Sequence, residues 1–274
     1  SLNFWKKEKT QTDMNLLPLI IMLLVNSFSG SNVIEHSDFK SYFDKENVQG
    51  SFILYDENKN TYHTFDSSSC RKRYTPASTF KILNSLIGLE SGVISGKDHE
   101  IKWNGRKYSI EEWNRDHTLE SAIKVSCVPY YQELARRVGK EKMQEYVSKA
   151  KFGNCDISGG IDRFWLSGGL RITPLEQVQF LKRFYNNEIN FNQKNIITVK
   201  DIILLEVNDD YRLYGKTGWS RQKGFNIGWF VGFVESEGNV YYFATNIQKK
   251  KGGNKFSQSR MDITYGILQE LDVI

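Results

Sequence analysis

Apolar positions along the chain fall into stretches with different periods. Residues 16–25 (LLPLIIMLLV) form one uninterrupted apolar run. Residues 49–56 (QGSFILYD) and 61–66 (TYHTFD) are short segments rich in aromatic and β-branched residues, joined by the polar Glu57-Asn58-Lys59-Asn60. That combination predicts two strands and a hairpin loop. A polar loop follows at 67–76. The segment 78–90 (STFKILNSLIGLE) then places Phe80, Leu83 and Ile87 on one helical stripe, with Gly92 just past its end. From 110 to 187 the period is mostly helical, clearest over 129–138, 140–150 and 174–185. The last of these has Thr173 and Glu176 at capping-box spacing and Pro174 at the first helical position. Beyond it the period changes back. Residues 212–216, 227–235 and 239–247 read as strands bounded by glycine, and 257–271 as a closing helix.

Strands near both ends with helices between them predict an α/β (α+β) architecture. One antiparallel sheet is assembled from both termini and flanked by helices, with an all-helical subdomain inserted in the middle. The expected division is a sheet subdomain over about 35–90 and 205–274 and a helical subdomain over about 91–204. The run at 16–25 is short for a membrane span. Lys6, Lys7 and Lys9 lie before it and the small residues Ser27 and Ser29 after it. A buried helix is the alternative, but the terminal position favours an export signal over residues 1–29, with residues 30–274 as the mature domain. The expectation is an exported protein, periplasmic or extracellular, with no stable membrane span in the mature chain.

Composition narrows the classes further. With 39% apolar, 25% charged and 14% aromatic residues in 274, the chain is an ordinary globular one, not disordered or collagen-like. The net charge of +5 comes from scattered basic residues. The longest run, Lys249-Lys250-Lys251, sits beside two glycines and reads as a solvated turn, so no nucleic-acid partner is expected. Cys70, Cys127 and Cys155 contain no C-x-x-C pair, and His36, His63, His99 and His117 contain no i, i+4 pair. Zinc-finger, thioredoxin-type and histidine-built metal sites are therefore not expected. One disulfide with a free thiol and three unpaired cysteines both fit the count.

Three short motifs carry candidate chemistry. In Ser78-Thr79-Phe80-Lys81 the hydroxyl and the amine lie one helical turn apart on the same face. A serine needs an adjacent base to act as a nucleophile, and a lysine serves only when desolvation keeps it neutral. Lys216-Thr217-Gly218 fails as a phosphate loop, because Asp210 stands where that loop needs glycine. Placed among strands, it would instead present Lys216 and Thr217 to a carboxylate. Ser126-Cys127-Val128 adds a second hydroxyl just before Pro129. Taken singly, these would read as a helix cap, a charged hairpin edge and a turn.

Their order along the chain resembles that of the penicilloyl-serine transferases. The middle motif is Ser-x-Val rather than Ser-Asp-Asn, which is similar to the class D, OXA-type serine β-lactamases. WNRDHTL at 113–119, YQELARRVG at 131–139, Phe152-Gly153-Asn154 and Phe164-Trp165-Leu166 also resemble stretches of that family, and the likeness spans roughly 35–272. It implies the penicillin-binding-protein/β-lactamase fold and a small-molecule β-lactam substrate. It also implies Ser78 as nucleophile, and Lys81, carboxylated by carbon dioxide, as general base. Trp165 would donate to that carbamate and Ser126 would relay a proton to the leaving nitrogen. Lys216 and Thr217, with Arg260, would hold the substrate carboxylate. The backbone N–H groups of Ser78 and of Trp219, which follows Gly218, would form the oxyanion hole. Val128 and Leu166 would wall off the carbamate. No metal and no further cofactor are implied, and the protein is expected as a monomer or homodimer. Two departures stand out: Phe152 replaces the commoner tyrosine, and Cys127 puts a thiol inside Ser-x-Val. A β-lactam sensor domain and a D,D-peptidase share these motifs. Val128, where sensors tend to be polar, and the absence of Ser-x-Asn favour the hydrolase.

Overall fold

The computed structural model describes residues 30–251 and 254–274; the expected export signal at 1–29 lies outside them. The strands are β1 (Asn32–Glu35), β2 (Gln49–Asp56), β3 (Thr61–Phe65), β4 (Glu100–Ile101), β5 (His117–Thr118), β6 (Leu204–Val207), β7 (Tyr211–Gln222), β8 (Phe225–Ser236) and β9 (Asn239–Lys249). The helices are α1 (Lys40–Lys45), α2 (Lys81–Glu90), α3 (Leu119–Lys124), α4 (Val128–Val138), α5 (Lys140–Lys149), α6 (Pro174–Tyr185), α7 (Gln193–Ile202) and α8 (Asn254–Glu270).

Seven strands make one sheet in the order β1-β3-β2-β9-β8-β7-β6, and β4 pairs with β5 alone. Strand β8 is covered on both faces, which is why its sequence reads as an almost unbroken apolar run rather than an alternating one. On one face, Phe39, Phe43, Phe52, Phe230, Phe243, Ile263 and Ile267 form a core beneath α1 and α8. Each such side chain contributes roughly 1.5–3 kcal/mol by leaving water. On the other face α6 packs against β2, β8 and β9. The capping box that opens α6 is formed by both reciprocal bonds, Glu176 N to Thr173 Oγ1 at 2.9 Å and Thr173 N to Glu176 Oε2 at 2.9 Å.

Helix α2 is buried from Lys81 through Leu89 and packs on α4 and α7. Its polar residues have partners in α4: Ser85 Oγ lies 2.8 Å from Tyr131 Oη, and Asn84 Nδ2 donates to Tyr131 O at 3.4 Å. Helix and sheet meet at the N-terminal end of α2, where β7 runs alongside.

Several elements differ from expectation. The helix expected from residue 78 begins with a 3₁₀ turn over Ala77–Phe80, so α2 proper starts at Lys81. The strand expected to stop at 216 continues to Gln222, because β8 pairs with it along its whole length. Residues 154–173 hold no helix, although the surrounding pattern is helical. The sheet is antiparallel except for β1, which lies parallel to β3.

Candidate active site

Position 78 sits on a turn held from four directions. Ala77 N donates to Trp165 O at 3.0 Å, and Thr79 Oγ1 accepts from Gln177 Nε2 of α6 at 2.8 Å. Thr75 N donates to Gln222 Oε1 of β7 at 3.0 Å, and Thr75 O accepts from Trp229 Nε1 of β8 at 2.9 Å. Ala77 adopts φ 51°, a left-handed conformation that a residue with a Cβ rarely takes without support. Strain of this kind costs about 1–3 kcal/mol and persists where surrounding structure imposes it. Ser78 does not cap the helix. Its Oγ instead accepts from Lys81 Nζ at 2.7 Å.

Lys81 Nζ also donates to Ser126 Oγ and Ser126 O, both at 2.9 Å, and lies 5.4 Å from the centre of the Tyr131 ring. Ser126 reaches it because the chain reverses there with φ 52°, between α3 and α4. Trp113 Nε1 holds this reversal by donating to Val125 O at 3.0 Å. Lys81 is fully buried, and burial holds its amine well below the usual lysine range, helped by the nearby charge of Lys216. Three acceptor oxygens lie around Nζ, no carboxylate among the described residues pairs with it, and desolvation favours its neutral form.

Trp165 is fully buried and stacks on Phe80, with ring centres 5.5 Å apart. Its indole N–H has no hydrogen-bond partner among the described residues. A buried donor left unpaired is costly, so it marks a place where an acceptor belongs. Val128 opens α4 two residues after Ser126, and Leu166 follows Trp165; both are half-buried.

The sheet side of the site is β7. Its residues beyond Gly215 have no strand on their outer edge, since β6 pairs only with Arg212, Leu213 and Tyr214. That edge lies against the 3₁₀ turn. A Cβ at Gly218 would stand 3.0 Å from Pro76 O and 3.4 Å from Ser78 N, so the close approach depends on glycine. Lys216 is buried with a single side-chain bond, to Thr217 O at 3.1 Å. Burial, then the charge of Arg260, brings its amine down to about 7. Arg260, in the second turn of α8, donates from Nη1 to Gly218 O at 2.9 Å, while its buried Nε has no partner. Burial lowers the Arg260 guanidinium to about 10. These two buried basic groups have unspent donors and no carboxylate partner among the described residues, an arrangement able to accept an anion. The Trp219 indole turns away to Asn226 Oδ1 at 3.1 Å and packs on Phe256.

The expected residues therefore form two adjoining clusters, Ser78–Lys81–Ser126 and Lys216–Thr217–Gly218–Arg260. Residues 40–269 match the penicillin binding protein transpeptidase domain family. The chain is 40% identical over 232 residues to β-lactamase OXA-10 of Pseudomonas aeruginosa, covering 84% of this chain and 87% of that protein. A class D β-lactamase structure from Fusobacterium nucleatum subsp. polymorphum, FUS-1 (OXA-85), superposes with a TM-score of 0.84 at 39% identity, covering 88% of this chain and all of that one.

The chain belongs to the class D β-lactamases.

It is also 42% identical over 223 residues to the regulatory protein BlaR1 of Bacillus licheniformis, covering 81% of this chain but 37% of that protein. The chain thus spans little more than a third of that relative. The three motifs are legible in the sequence, but the residues that brace them are not. Gln177, Gln222 and Trp229 lie 98, 147 and 154 positions from the turn residues they bond. Their only sequence signal is that a buried amide or indole must find a partner. Among the described residues no group of three metal-ligating side chains occurs, and Cys70, Cys127 and Cys155 are free thiols.

Proposed function

We propose that this protein hydrolyses the lactam amide of penicillins and related β-lactams through an acyl-enzyme on Ser78. The observation that carries the reading is the bonded cluster of Ser78 Oγ, Lys81 Nζ and Ser126 Oγ around a fully buried amine. Ser78 Oγ attacks the carbonyl carbon and passes its proton to the base at position 81. Ser126 Oγ delivers a proton to the lactam nitrogen as the C–N bond breaks, and takes back the proton held at position 81 through its contact with Lys81. Water then cleaves the ester and restores Ser78. Lys216, Thr217 and Arg260 hold the substrate carboxylate, a charge-assisted contact of the kind two unpaired buried cations favour. The N–H groups of Ser78 and Trp219, brought close by Gly218, receive the oxyanion.

The surroundings of Lys81 suit carboxylation by carbon dioxide. Only a neutral amine reacts, and burial shifts this one toward its neutral form. The resulting carbamate would supply an anionic acceptor beside Ser78. The unpaired Trp165 indole N–H is the donor to hold it, with Val128 and Leu166 walling it from bulk water. The apolar run at 16–25 supports export of the protein to where β-lactams are met.

The likeness to BlaR1 favours a second reading, a sensor domain that is acylated without turnover. One experiment separates them. Purified protein is mixed with excess benzylpenicillin in bicarbonate buffer, and product and intact mass are followed together. The hydrolase reading expects many turnovers and an adduct that disappears. One stoichiometric, lasting adduct would give the site to a sensor.

A further inference from the structure

The two ends of the sheet carry opposite charge. Between Gly218 and Arg260 the sequence has two carboxylates, Glu235 and Glu237, and both lie at the far end, beside Asp209 and Asp210. At the near end Arg221 and Lys223 form the tip of the β7–β8 hairpin. The register pairs Arg221 with Asn226 and Asn226 with Lys249, and Lys250 and Lys251 follow. Lys250 Nζ lies 5.9 Å from the Phe225 ring centre. Arg221, Lys223, Lys250 and Lys251 are exposed, and none of the five basic residues forms an ion pair with a carboxylate among the described residues.

This basic end adjoins the site. Arg221 is three residues past Gly218 on one strand, about 10 Å at the usual strand rise. The acidic end begins near Tyr211, seven residues before Gly218, roughly 23 Å away. With a screening length of about 8 Å at physiological salt, an approaching substrate feels the basic end and little of the acidic one. Lys216 and Arg260 bind one carboxylate at the bottom of the site. The exposed basic residues stand outside it, at the β7–β8 hairpin and the end of β9, where the carboxylate of Asp44, paired with Lys40, shares a groove with Lys249 and Lys250.

We infer that the basic end of the sheet is a selectivity element for anionic β-lactams, favouring those with a second carboxylate on the acyl side chain. The inference rests on the proposed reading of the site as one acylated by β-lactams. Exposed cations act on the encounter: they raise the local concentration of anions and the rate of capture, and salt removes the effect.

Three penicillins with the same benzyl side chain differ only in its α substituent. Ampicillin carries an amine and is neutral overall, benzylpenicillin is a monoanion, and carbenicillin is a dianion. The second-order rate of Ser78 acylation is measured for each between about 20 and 300 mM salt, which serves a hydrolase and a sensor alike. The expected loss over that range is about three-fold or more for carbenicillin, about half that on a logarithmic scale for benzylpenicillin, and little for ampicillin. The variant Lys223→Gln/Lys250→Gln/Lys251→Gln changes exposed side chains only. It should remove most of the carbenicillin slope and leave ampicillin acylation unchanged. Equal slopes for the three compounds, or a carbenicillin slope untouched in the variant, would overturn the inference while acylation itself stands. Acylation by none of them would overturn the reading of the site and the inference together.

Discussion

Lys81, on the helix side of the site, and Lys216, on the sheet side, are both buried and both held below the usual lysine range chiefly by desolvation. Their neighbours differ. Lys81 faces three acceptor oxygens and an aromatic ring, with an unpaired indole donor on the adjoining segment. Lys216 faces one carbonyl and a second cation, Arg260, whose Nε is itself unpaired. In the first, desolvation and the charge of Lys216 favour the neutral amine beside two hydroxyls that can exchange a proton with it; the second can hold its charge once an anion arrives. Burial alone therefore does not assign a role to a lysine; the polar atoms around it do.

The largest expected effect comes from removing the amine on the helix side. Lys81→Ala leaves Ser78 without a base, and general bases contribute about 10²–10⁴-fold. Acylation by benzylpenicillin, followed by stopped flow, should fall by about 10³-fold or more. A loss below ten-fold would mean that another group takes the Ser78 proton. On the wild-type protein, lowering the pH protonates Lys81, so turnover should fall on the acid side and recover with added bicarbonate.

Lys216→Met tests the other half of the comparison. Losing a charge-assisted contact to the substrate carboxylate should cost about 2–3 kcal/mol in kcat/KM. Stability should move the opposite way. The folded pKa of Lys216, about 7, lies below its unfolded value, so the unfolded chain holds the extra proton between them. The folded state is therefore penalised at low and neutral pH, and the penalty fades as pH rises toward the ordinary lysine pKa of about 10.4. An apolar replacement removes that penalty, raising stability at neutral pH by roughly 1–4 kcal/mol, with the gain shrinking in alkali. Denaturant unfolding at several pH values reads it. Binding of a carboxylate should weaken as pH rises through about 7, where the free amine loses its charge.

How much of this was legible in advance follows from range. Ser78 and Lys81 lie within one turn, and Lys216, Thr217 and Gly218 within one strand, so spacing alone placed them together. The strand expected over 212–216 stops short of Gly218, yet β7 continues through it because β8 pairs with it throughout. Strand β1 is exposed at all four positions and has no alternating face to reveal it. Helix α7 and the short β6 are not among the elements the sequence pattern predicts. The 3₁₀ turn under Ser78 depends on bonds from Trp165, Gln177, Gln222 and Trp229, which no local pattern encodes.

Trp165→Phe separates the indole N–H from the aromatic packing. The Trp165 backbone bond to Ala77 and much of the contact with Phe80 and Phe164 survive this change. The bicarbonate concentration needed for half-maximal turnover should rise about ten-fold, the worth of one charge-assisted hydrogen bond. Deacylation should slow more than acylation. An unchanged bicarbonate requirement would remove Trp165 from the support of Lys81.

The smallest effect belongs to Cys127, which sits between the two residues of Ser126-x-Val128 that the proposed chemistry uses. Its side chain is buried, and burial raises its thiol pKa, so at neutral pH it is an uncharged space-filler. The Lys81 contacts run to the Ser126 hydroxyl and carbonyl, and neither depends on the Cys127 sulfur. Cys127→Ala should therefore lower stability by about 1 kcal/mol through a small cavity and leave acylation and turnover within about two-fold. Thiol reagents should label the half-buried Cys155 before Cys127 or Cys70, because the latter two are sealed from solvent. A ten-fold loss of turnover in Cys127→Ala, with the fold intact, would show that the helix side of the site uses a third group. The contrast between the two lysines would then need redrawing around a thiol.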